Sequence, residues 1–193
     1  MRFTSWGGGC HRVSPRNGDT MAHDNWETPP NLFHLLNKEY QFDVDAAASK
    51  SNALCSRYIT QEQNALCTPW VGRSIWCNPP YSMLPAFVYR AYHQSVEQQN
   101  QVSLLIPAYT DTRYWADVIV PFAVEIRFLV GRVSFLEGGK SNTTARFPSA
   151  FVRFSSDIHI PQHIWWWDWK AKQEGVLCYT HQYATGSMLG TRI

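Results

Sequence analysis

Residues 74–81 have the sequence SIWCNPPY, in which a short apolar run is followed by an asparagine and two prolines. Proline has no backbone N–H and cannot continue a sheet ladder, so the pattern predicts a strand that stops at Asn78. Apolar residues at helical spacing follow over residues 84–96, and a second apolar run over residues 102–106 ends at Pro107. The sequence therefore predicts a strand, a helix and a second strand in succession.

The flanking regions continue this alternation of strands and helices. Because such alternation is typical of sheets covered on both faces by helices, we predict an α/β, Rossmann-like fold with a mostly parallel sheet. The predicted helices lie at residues 26–40 and 111–120, the predicted strands at residues 41–45, 124–130 and 149–154, and a polar, glycine-containing loop at residues 136–146.

Length and composition are those of one folded domain. The chain has 193 residues, 45% of them hydrophobic and 17% charged, which suits a single sizeable core. We expect a flexible leader at residues 1–22, the main domain at residues 23–155, and a Trp-rich C-terminal extension at residues 156–193 that packs on that domain. The net charge of +2 is small, so any nucleic-acid surface must be a local patch.

Cysteine usage and hydropathy indicate a cytoplasmic protein. The five cysteines are odd in number and include no Cys-x-x-Cys pair, and the first residues show no secretory apolar segment. No apolar run approaches the roughly 20 residues needed to span a bilayer, so we expect no membrane association. We assign no metal ligands, and Cys77 is interpreted as core packing.

The tetrapeptide at residues 78–81 carries the strongest chemical signal. Open α/β sheets bind ligands outside the carboxyl ends of their strands, where this tetrapeptide is predicted to lie. The side-chain oxygen of Asn78 and the main-chain oxygen of Pro79 would both accept from one aromatic NH₂ group and aim its nitrogen at a methyl donor. Pro79 and Pro80 fix the backbone, and Tyr81 offers a flat face to a base. The alternative is a proline-rich turn with only a structural role.

Several segments together resemble the phage-type DNA N6-adenine methyltransferases, a branch of the amino-methyltransferases that share an Asp/Asn-Pro-Pro-Tyr motif. The resemblance covers about residues 24–155. Besides residues 78–81, it rests on WETPP at residues 26–30, FDVDAAA at 42–48, LIPA at 105–108, GRVSF at 131–135 and FPSA at 147–150. It implies a Rossmann-like methyltransferase, with S-adenosylmethionine as methyl donor and the N6 amine of adenine in double-stranded DNA as target.

The resemblance also implies where the cofactor is held. Alanines at residues 46–48 replace the glycine-rich turn of many nucleotide-binding proteins, and they suffice because this cofactor carries no phosphate. Asn64 stands where an Asp is expected to accept from the adenine amine of the cofactor. An acidic residue at the position of Asp45 is also typical of a helix cap, which is the alternative interpretation. The implied cofactor-binding residues are Trp26, Thr28, Pro29, Asp43, Asp45, Ala46 and Asn64.

Target recognition is assigned to the polar loop, because no long insertion separates the matched segments. Its flexible, basic and hydrogen-bonding residues are also those of an ordinary solvated loop. Lysine and arginine on phosphates supply affinity, whereas asparagine or arginine on base edges supplies sequence discrimination. The target adenine is expected to be flipped out of the duplex, and no obligate protein partner is expected. The predicted DNA-binding residues are Arg132, Lys140, Asn142, Arg146 and Phe147.

Two other functions remain open at this point. The tetrapeptide also suits another amine or amide acceptor, such as an RNA base or a protein glutamine. From a different class, the Trp-rich stretch at residues 165–169 would suit a non-catalytic module that stacks on sugars or bases.

Overall fold

The computed structural model describes residues 24–157 and 159–171; the expected leader and the end of the Trp-rich extension lie outside the described residues. The strands are β1 Val44–Asp45, β2 Arg57–Tyr58, β3 Ser74–Cys77, β4 Gln101–Pro107, β5 Glu125–Leu129, β6 Ser134–Glu137, β7 Lys140–Thr144, β8 Ser149–Ser155 and β9 His163–Trp167. Among the described residues, seven strands form one sheet in the order β2-β1-β3-β4-β8-β5-β9, and β6 pairs with β7.

The helices are α1 (Pro30–Tyr40), α2 (Leu84–Glu97) and a π-helical segment (Trp115–Ile119) that runs into the short α3 (Val120–Phe122). Pro30 and Pro85 lie in first turns, where a backbone N–H has no partner within the helix. α1 ends at Gln41, which adopts the left-handed conformation with φ 51°. Helices occur where they were predicted, although the helix predicted from residue 26 begins only at Pro30. None of the described helices has the length and apolar character needed to cross a membrane.

Helices cover both faces of the sheet. Side chains alternate along β8, so Phe151 and Phe154 point to opposite faces. The ring of Tyr40 in α1 stacks on Phe151 with the centroids 5.2 Å apart, and the ring of Tyr92 in α2 meets Phe154 edge-on at 5.9 Å. The predicted Rossmann-like sheet with helices on both faces is therefore confirmed.

One edge of the sheet collects the carboxyl ends of neighbouring parallel strands, and we name it the carboxyl edge. β3 pairs in parallel with β1 and with β4, so Trp76 lies opposite Asp45 on one side and opposite Ser103 on the other. β8 runs antiparallel to β4 and begins at this edge, where Ser149 pairs with Pro107. Residues that follow β1, β3 and β4 therefore meet residues that precede β8.

The region predicted as a polar loop at residues 136–146 contains most of a β-hairpin, so that prediction is wrong. β6 and β7 are antiparallel and flank Gly138 and Gly139, whose φ angles of 57° and 73° are readily adopted by glycine. Leu136 also pairs with Glu27 through two backbone hydrogen bonds. The pairing of Glu27 with this hairpin joins segments that are distant in the chain, so no local sequence pattern could indicate the pairing.

The Trp-rich stretch continues the main sheet. β9 pairs in parallel with β5, and the rings of Trp165 and Trp167 lie 4.6 and 5.4 Å from the guanidinium carbon of Arg127. The described part of the expected extension is therefore the edge strand of this sheet. The expected boundary after residue 155 falls between two of its strands.

A buried ionic network holds α1 against the sheet. Arg127 is 3% exposed, and its guanidinium donates to Glu125 at 2.6 Å and to Glu39 of α1 at 2.8 Å. Arg153 and the hydroxyl of Tyr40 donate to the other carboxylate oxygen of Glu125, at 3.0 and 2.7 Å. Burial alone would raise the pKa of Glu125, but Arg127 and the other donors outweigh it and hold that pKa below its ordinary value.

Arg127→Ala should lower the free energy of unfolding by about 3–5 kcal/mol, because it leaves the buried Glu125 carboxylate without its closest counter-charge. Urea unfolding followed by tryptophan fluorescence measures this change. Arg113→Ala is the control, since the Arg113 side chain is 90% exposed in its pair with Asp117 and its loss should change stability by less than about 1 kcal/mol. Equal losses in the two variants would contradict a stabilising role for the buried network.

Candidate active site

The motif at residues 78–81 lies at the carboxyl edge. β3 ends at Cys77, and a 3₁₀ turn at Tyr81–Met83 leads from the motif into α2. On the neighbouring strand, the N–H of Ala46 donates to the carbonyl of Trp76 at 2.8 Å. The structure therefore brings Asp45 and Ala46, expected to hold a cofactor, beside Asn78, expected to hold an amine.

The side-chain amide of Asn78 has a fixed orientation. Its Nδ2 donates to the main-chain carbonyl of Trp26 at 2.7 Å, and its Oδ1 is buried with no donor among the described residues. An unpaired buried acceptor costs about 1–3 kcal/mol, which is why most buried polar atoms are paired. At the ligand-binding edge of the sheet, such an atom is typical of an acceptor that meets a donor on a ligand.

The segment at residues 24–29 lies across the motif. Asp24 accepts two hydrogen bonds from Ser82, one from its backbone N–H at 2.8 Å and one from its hydroxyl at 2.6 Å. Glu27 pairs with Leu136 of β6, and its carboxylate accepts from the N–H of Gly139 at 3.0 Å. The segment therefore connects the motif to the hairpin.

Buried rings of Trp26, Tyr81, Phe135 and Phe147 form what we name the aromatic cluster. Trp26 stacks on Phe135 and Phe147 with centroid distances of 5.0 and 5.6 Å, and Tyr81 meets Phe147 edge-on at 5.5 Å. Tyr81 is 8% exposed, so its ring lies within the cluster instead of presenting an open face. Tyr109 is 40% exposed and meets Phe147 edge-on at 5.6 Å, which makes it the outer ring of this group.

Asp45 is buried and holds the turn that follows β1. Its carboxylate accepts from the N–H groups of Ala47 at 3.3 Å and Leu54 at 3.1 Å. Burial raises the pKa of Asp45 to about 6, although these two hydrogen bonds act to lower it. The side chain therefore has the cap-like contacts of the alternative interpretation, and it also places a titratable carboxyl group beside the motif.

Two other expected cofactor residues bind within the chain. Asp43 accepts from the guanidinium of Arg57 at 2.7 Å and from the N–H groups of Arg73 and Ser74 at 3.1 Å, before the start of β1. Asn64 is exposed, has φ 56°, and accepts from the N–H of Leu66 through its side-chain oxygen at 3.2 Å. A left-handed conformation is one that asparagine tolerates well, which gives Asn64 a local structural reason. Cofactor contacts by these two residues remain predictions.

Thr28 and Pro29 lie at the start of α1, in the segment that covers the motif. Pro29 occupies the N-cap position. Thr28 is 4% exposed, and its hydroxyl has no hydrogen-bond partner within the described part of the chain. This hydroxyl, Asn78 Oδ1 and the carboxyl group of Asp45 are buried oxygens of the kind that accept from N–H donors, and the carboxyl group also suits a positive charge.

The residues expected to contact DNA belong to the hairpin and its flanks. Arg132, Lys140 and Arg146 are exposed, and the carbonyl of Arg132 accepts from the ammonium of Lys170 at 2.9 Å. Asn142 lies in β7. Phe147 differs from the others, because it is buried in the aromatic cluster and not on an open surface.

Sequence reasoning missed the contributions of Asp24, Glu27, Phe135 and Tyr109. Asp24 and Ser82 are 58 residues apart, so no local spacing could pair them. An aspartate just ahead of the first matched segment was the available signal for Asp24, and the aromatic residue following the apolar run at residues 102–106 was the signal for Tyr109.

Comparison with known proteins agrees with this geometry. The family profile described as DNA N-6-adenine-methyltransferase (Dam) matches residues 17–165. The chain belongs to this family. The DNA N-6-adenine-methyltransferase of Haemophilus phage HP1 (strain HP1c1) is 36% identical over 136 residues, which cover 68% of this chain and 78% of that protein. The protein of the same name from Escherichia phage T1 is 35% identical over 115 residues, which cover 56% of this chain and 48% of that protein.

Membership of this family implies S-adenosylmethionine as the methyl donor. The residues at the carboxyl edge fit this cofactor, which carries a sulfonium, an ammonium and several hydrogen-bonding groups. Asp45 supplies a buried carboxyl group, and Ala46 a fully buried small side chain after β1. Thr28 supplies a hydroxyl that has no partner within residues 24–157 and 159–171. The fit rests on these atoms and does not require a glycine-rich turn.

The affinity for S-adenosylmethionine should rise between about pH 5 and pH 7, because ionised Asp45, whose pKa is raised to about 6 by burial, attracts the cationic cofactor. Titration calorimetry at several pH values measures this rise, and Asp45→Asn should flatten it. The raised pKa acts on folding in the opposite sense: its stabilising contribution is present at low pH and is lost as the pH rises through about 6. The same pH dependence in wild type and Asp45→Asn would rule out this role.

Proposed function

We propose that this protein transfers the methyl group of S-adenosylmethionine to the N6 amine of adenine in double-stranded DNA, with the adenine flipped out of the duplex. The observation that carries the proposal is Oδ1 of Asn78 at the carboxyl edge, which is buried and has no hydrogen-bond partner among the described residues. Family membership supports the reaction and the DNA substrate. No obligate protein partner is needed, and we place the reaction in the cytoplasm of a bacterial or phage-infected cell.

Two acceptors hold the amine in this mechanism. The lone pair of the N6 nitrogen is delocalised into the adenine ring, and acceptors on its two N–H bonds make that nitrogen a better nucleophile. Asn78 Oδ1 is the first acceptor. The carbonyl of Pro80 already accepts from the N–H of Met83 at 3.0 Å, so we assign the carbonyl of Pro79 as the second. These residues aim the nitrogen, and positioning of this kind supplies a large share of the rate.

The flipped base stacks on the exposed ring of Tyr109, at the outer side of the aromatic cluster. Such a base–aromatic contact contributes about 1–3 kcal/mol, and the buried ring of Tyr81 belongs to the cluster that supports it. Phe147 takes part indirectly, because it is buried and its ring packs edge-on against that of Tyr109 at 5.6 Å. Its expected role toward DNA is thus to support the ring on which the target base stacks.

We assign the cofactor to the side of Asn78 formed by β1 and the start of α1. Asp45 attracts its positive charge, Ala46 leaves room for it, and Thr28 provides a hydroxyl in the same segment as Trp26 and Pro29. Asp43 is assigned to holding β1, because its carboxylate already binds Arg57 and two backbone N–H groups.

The structure bears on the alternatives unequally. A stacking module would need open tryptophan faces, but Trp165 and Trp167 cover Arg127, and Trp169 is buried. Trp166 is 48% exposed and its ring lies 5.3 Å from that of Phe128. Methylation of an RNA base or a protein glutamine uses the same acceptors as methylation of adenine, so experiment must separate these substrates.

The proposal is tested by incubating the purified protein with S-adenosylmethionine carrying a tritiated methyl group and with DNA, RNA or protein. The DNA is then digested to nucleosides, which are separated by chromatography. We expect the label in DNA, where it should be recovered as N6-methyl-2′-deoxyadenosine. Label in RNA or protein alone, or in a methylated cytosine, would overturn the assignment of substrate.

Asn78→Ala should reduce methyl transfer below detection while leaving S-adenosylmethionine binding nearly unchanged, because Asn78 contacts the amine and not the cofactor. Transfer is measured with tritiated cofactor, and binding by calorimetry. The matched control is Asn100→Ala, since Asn100 Nδ2 also donates to a tryptophan carbonyl, that of Trp70, at 2.9 Å, and its Oδ1 is likewise buried and unpaired among the described residues. Asn100 precedes β4 at the opposite edge, so its loss should leave transfer intact in the folded protein. Equal loss of transfer in both variants would contradict the role of Asn78.

Lys140→Ala should weaken binding to all DNA sequences and reduce the slope of log affinity against log salt by about one, because a lysine on a phosphate displaces counterions. Changes at Arg132, Asn142 or Arg146 should instead alter which sites are methylated if the residue contacts a base edge. Fluorescence anisotropy and sequencing of methylated DNA measure the two effects. Lys38→Ala is the control, because Lys38 lies in the last turn of α1, away from the carboxyl edge. If alanine at all four of these positions changes neither quantity, recognition lies elsewhere.

A further inference from the structure

We propose that Asp24 and the main-chain carbonyl of Trp26 form a clasp that fixes the amide of Asn78 with its oxygen toward the substrate. The clasp makes the site accept an amino group and reject a carbonyl group at the same place on a base. Asp24 is then a positioning residue and a determinant of specificity. The inference rests on the proposed function and concerns how the same site chooses its acceptor.

The orientation of the Asn78 amide follows from its neighbour. An asparagine side chain offers a donor and an acceptor, and a rotation of the amide by half a turn exchanges them. The carbonyl of Trp26 can only accept, and it lies 2.7 Å from the Asn78 side chain. The rotated amide would place two acceptor oxygens against each other and leave the NH₂ group unpaired, so the Trp26 carbonyl selects one orientation.

Contacts on both sides of Trp26 hold its carbonyl in place. On one side, Asp24 accepts from the N–H and the hydroxyl of Ser82 at 2.8 and 2.6 Å, which anchors the segment to the turn that follows the motif. On the other side, Glu27 exchanges two backbone hydrogen bonds with Leu136. Bonds to a carboxylate are shorter and stronger than neutral ones, and Asp24 accepts both of its bonds from Ser82, directly after the motif, so Asp24 is the anchor that ties the segment to the motif itself.

The start of α2 has no acidic group of its own. Its first turn contains no acidic residue, and its cap residue, Met83, makes no side-chain capping bond. Asp24 therefore provides, from a segment 58 residues away, the acceptor for the N–H of Ser82. The contact joins the covering segment and the motif into one unit.

Specificity for an amine follows from the fixed oxygen. Adenine presents an NH₂ group at C6, whereas hypoxanthine presents a carbonyl oxygen at the same position. With the amide fixed by the clasp, the oxygen of Asn78 accepts from the NH₂ group of adenine. The same oxygen makes an unfavourable oxygen–oxygen contact with the carbonyl of hypoxanthine. A side chain free to rotate would bind both, because its NH₂ group would then donate to the carbonyl.

The test compares binding of two DNA duplexes that contain adenine or hypoxanthine at the methylated position, after that position has been mapped by sequencing. Binding is measured by fluorescence anisotropy with S-adenosylhomocysteine present, and the quantity of interest is the ratio of the two affinities. The effect of the altered base pair on duplex stability is the same for every variant, so it cancels when ratios are compared. We expect Asp24→Ala to shift the ratio toward hypoxanthine by about tenfold and to lower kcat by ~10–100-fold, as misplacement of a catalytic group does, with an unchanged KM for S-adenosylmethionine.

Matched variants separate positioning from loss of structure. Asp24→Asn should retain the wild-type ratio, because its oxygen still accepts from the Ser82 N–H and its NH₂ group donates to the Ser82 hydroxyl. Ser82→Ala, which removes one of the two bonds, should give a smaller shift in the same direction. The control is Asp157→Ala, since Asp157 also accepts from a backbone N–H, that of His159 at 2.9 Å, but follows β8 at the opposite edge.

A wild-type ratio in Asp24→Ala or in Ser82→Ala, in a protein that melts cooperatively and binds S-adenosylhomocysteine, would overturn the clasp. If Asp24→Ala does not fold, the ratio in Ser82→Ala decides the question. A wild-type protein that methylates no adenine would instead overturn the proposed function. The clasp can then be judged without substrate, because the Asn78 side-chain NH₂ signals, identified by their loss in Asn78→Ala, should be protected from hydrogen exchange in wild type and unprotected in Asp24→Ala.

Discussion

The hydrogen bond from Asn78 to the carbonyl of Trp26 is the contact on which the carboxyl edge depends. It satisfies the donor end of a buried amide, whose oxygen has no partner among the described residues and is the proposed acceptor for the substrate amine. It also binds the segment at residues 24–29 to the motif, and that segment carries one strand of the hairpin through Glu27. The same short segment therefore contacts both the motif, through Trp26, and the hairpin, through Glu27.

The strand order brings the two halves of the site together. Because β1 and β3 are parallel neighbours, the buried carboxyl group of Asp45 and the amide of Asn78 follow adjacent strand ends. The antiparallel β8 begins at the same edge and places Phe147 among the rings that surround Tyr81. Farther along the sheet, the ionic network of Arg127 and Glu125 and the tryptophans of β9 stabilise β5 and β9. The carboxyl edge therefore belongs to a sheet whose other strands are also held by buried contacts.

Asp45 shows how one residue meets two demands. Its hydrogen bonds to the N–H groups of Ala47 and Leu54 hold the turn after β1, while burial raises its pKa to about 6. Burial in the protein without ligand favours the protonated form of Asp45, whereas a bound cationic ligand would favour its ionised form. The observed structural cap and the proposed binding group are therefore the same side chain, and the two interpretations of this aspartate do not exclude each other.

The sequence by itself determined the local elements and the chemical type of the site. Paired prolines end β3 after Cys77, apolar spacing predicts α2, and the motif at residues 78–81 indicates a site that accepts hydrogen bonds from an amine. Each of these properties depends on residues that are neighbours in the chain. Only the tertiary structure decided that the NH₂ group of Asn78 is bonded to the carbonyl of Trp26, that Tyr81 is buried, and that residues 134–144 form a hairpin. Those features depend on partners such as Trp26, 52 residues from Asn78, and a hydrophobic period reports how deeply a segment is buried but not which segment covers it.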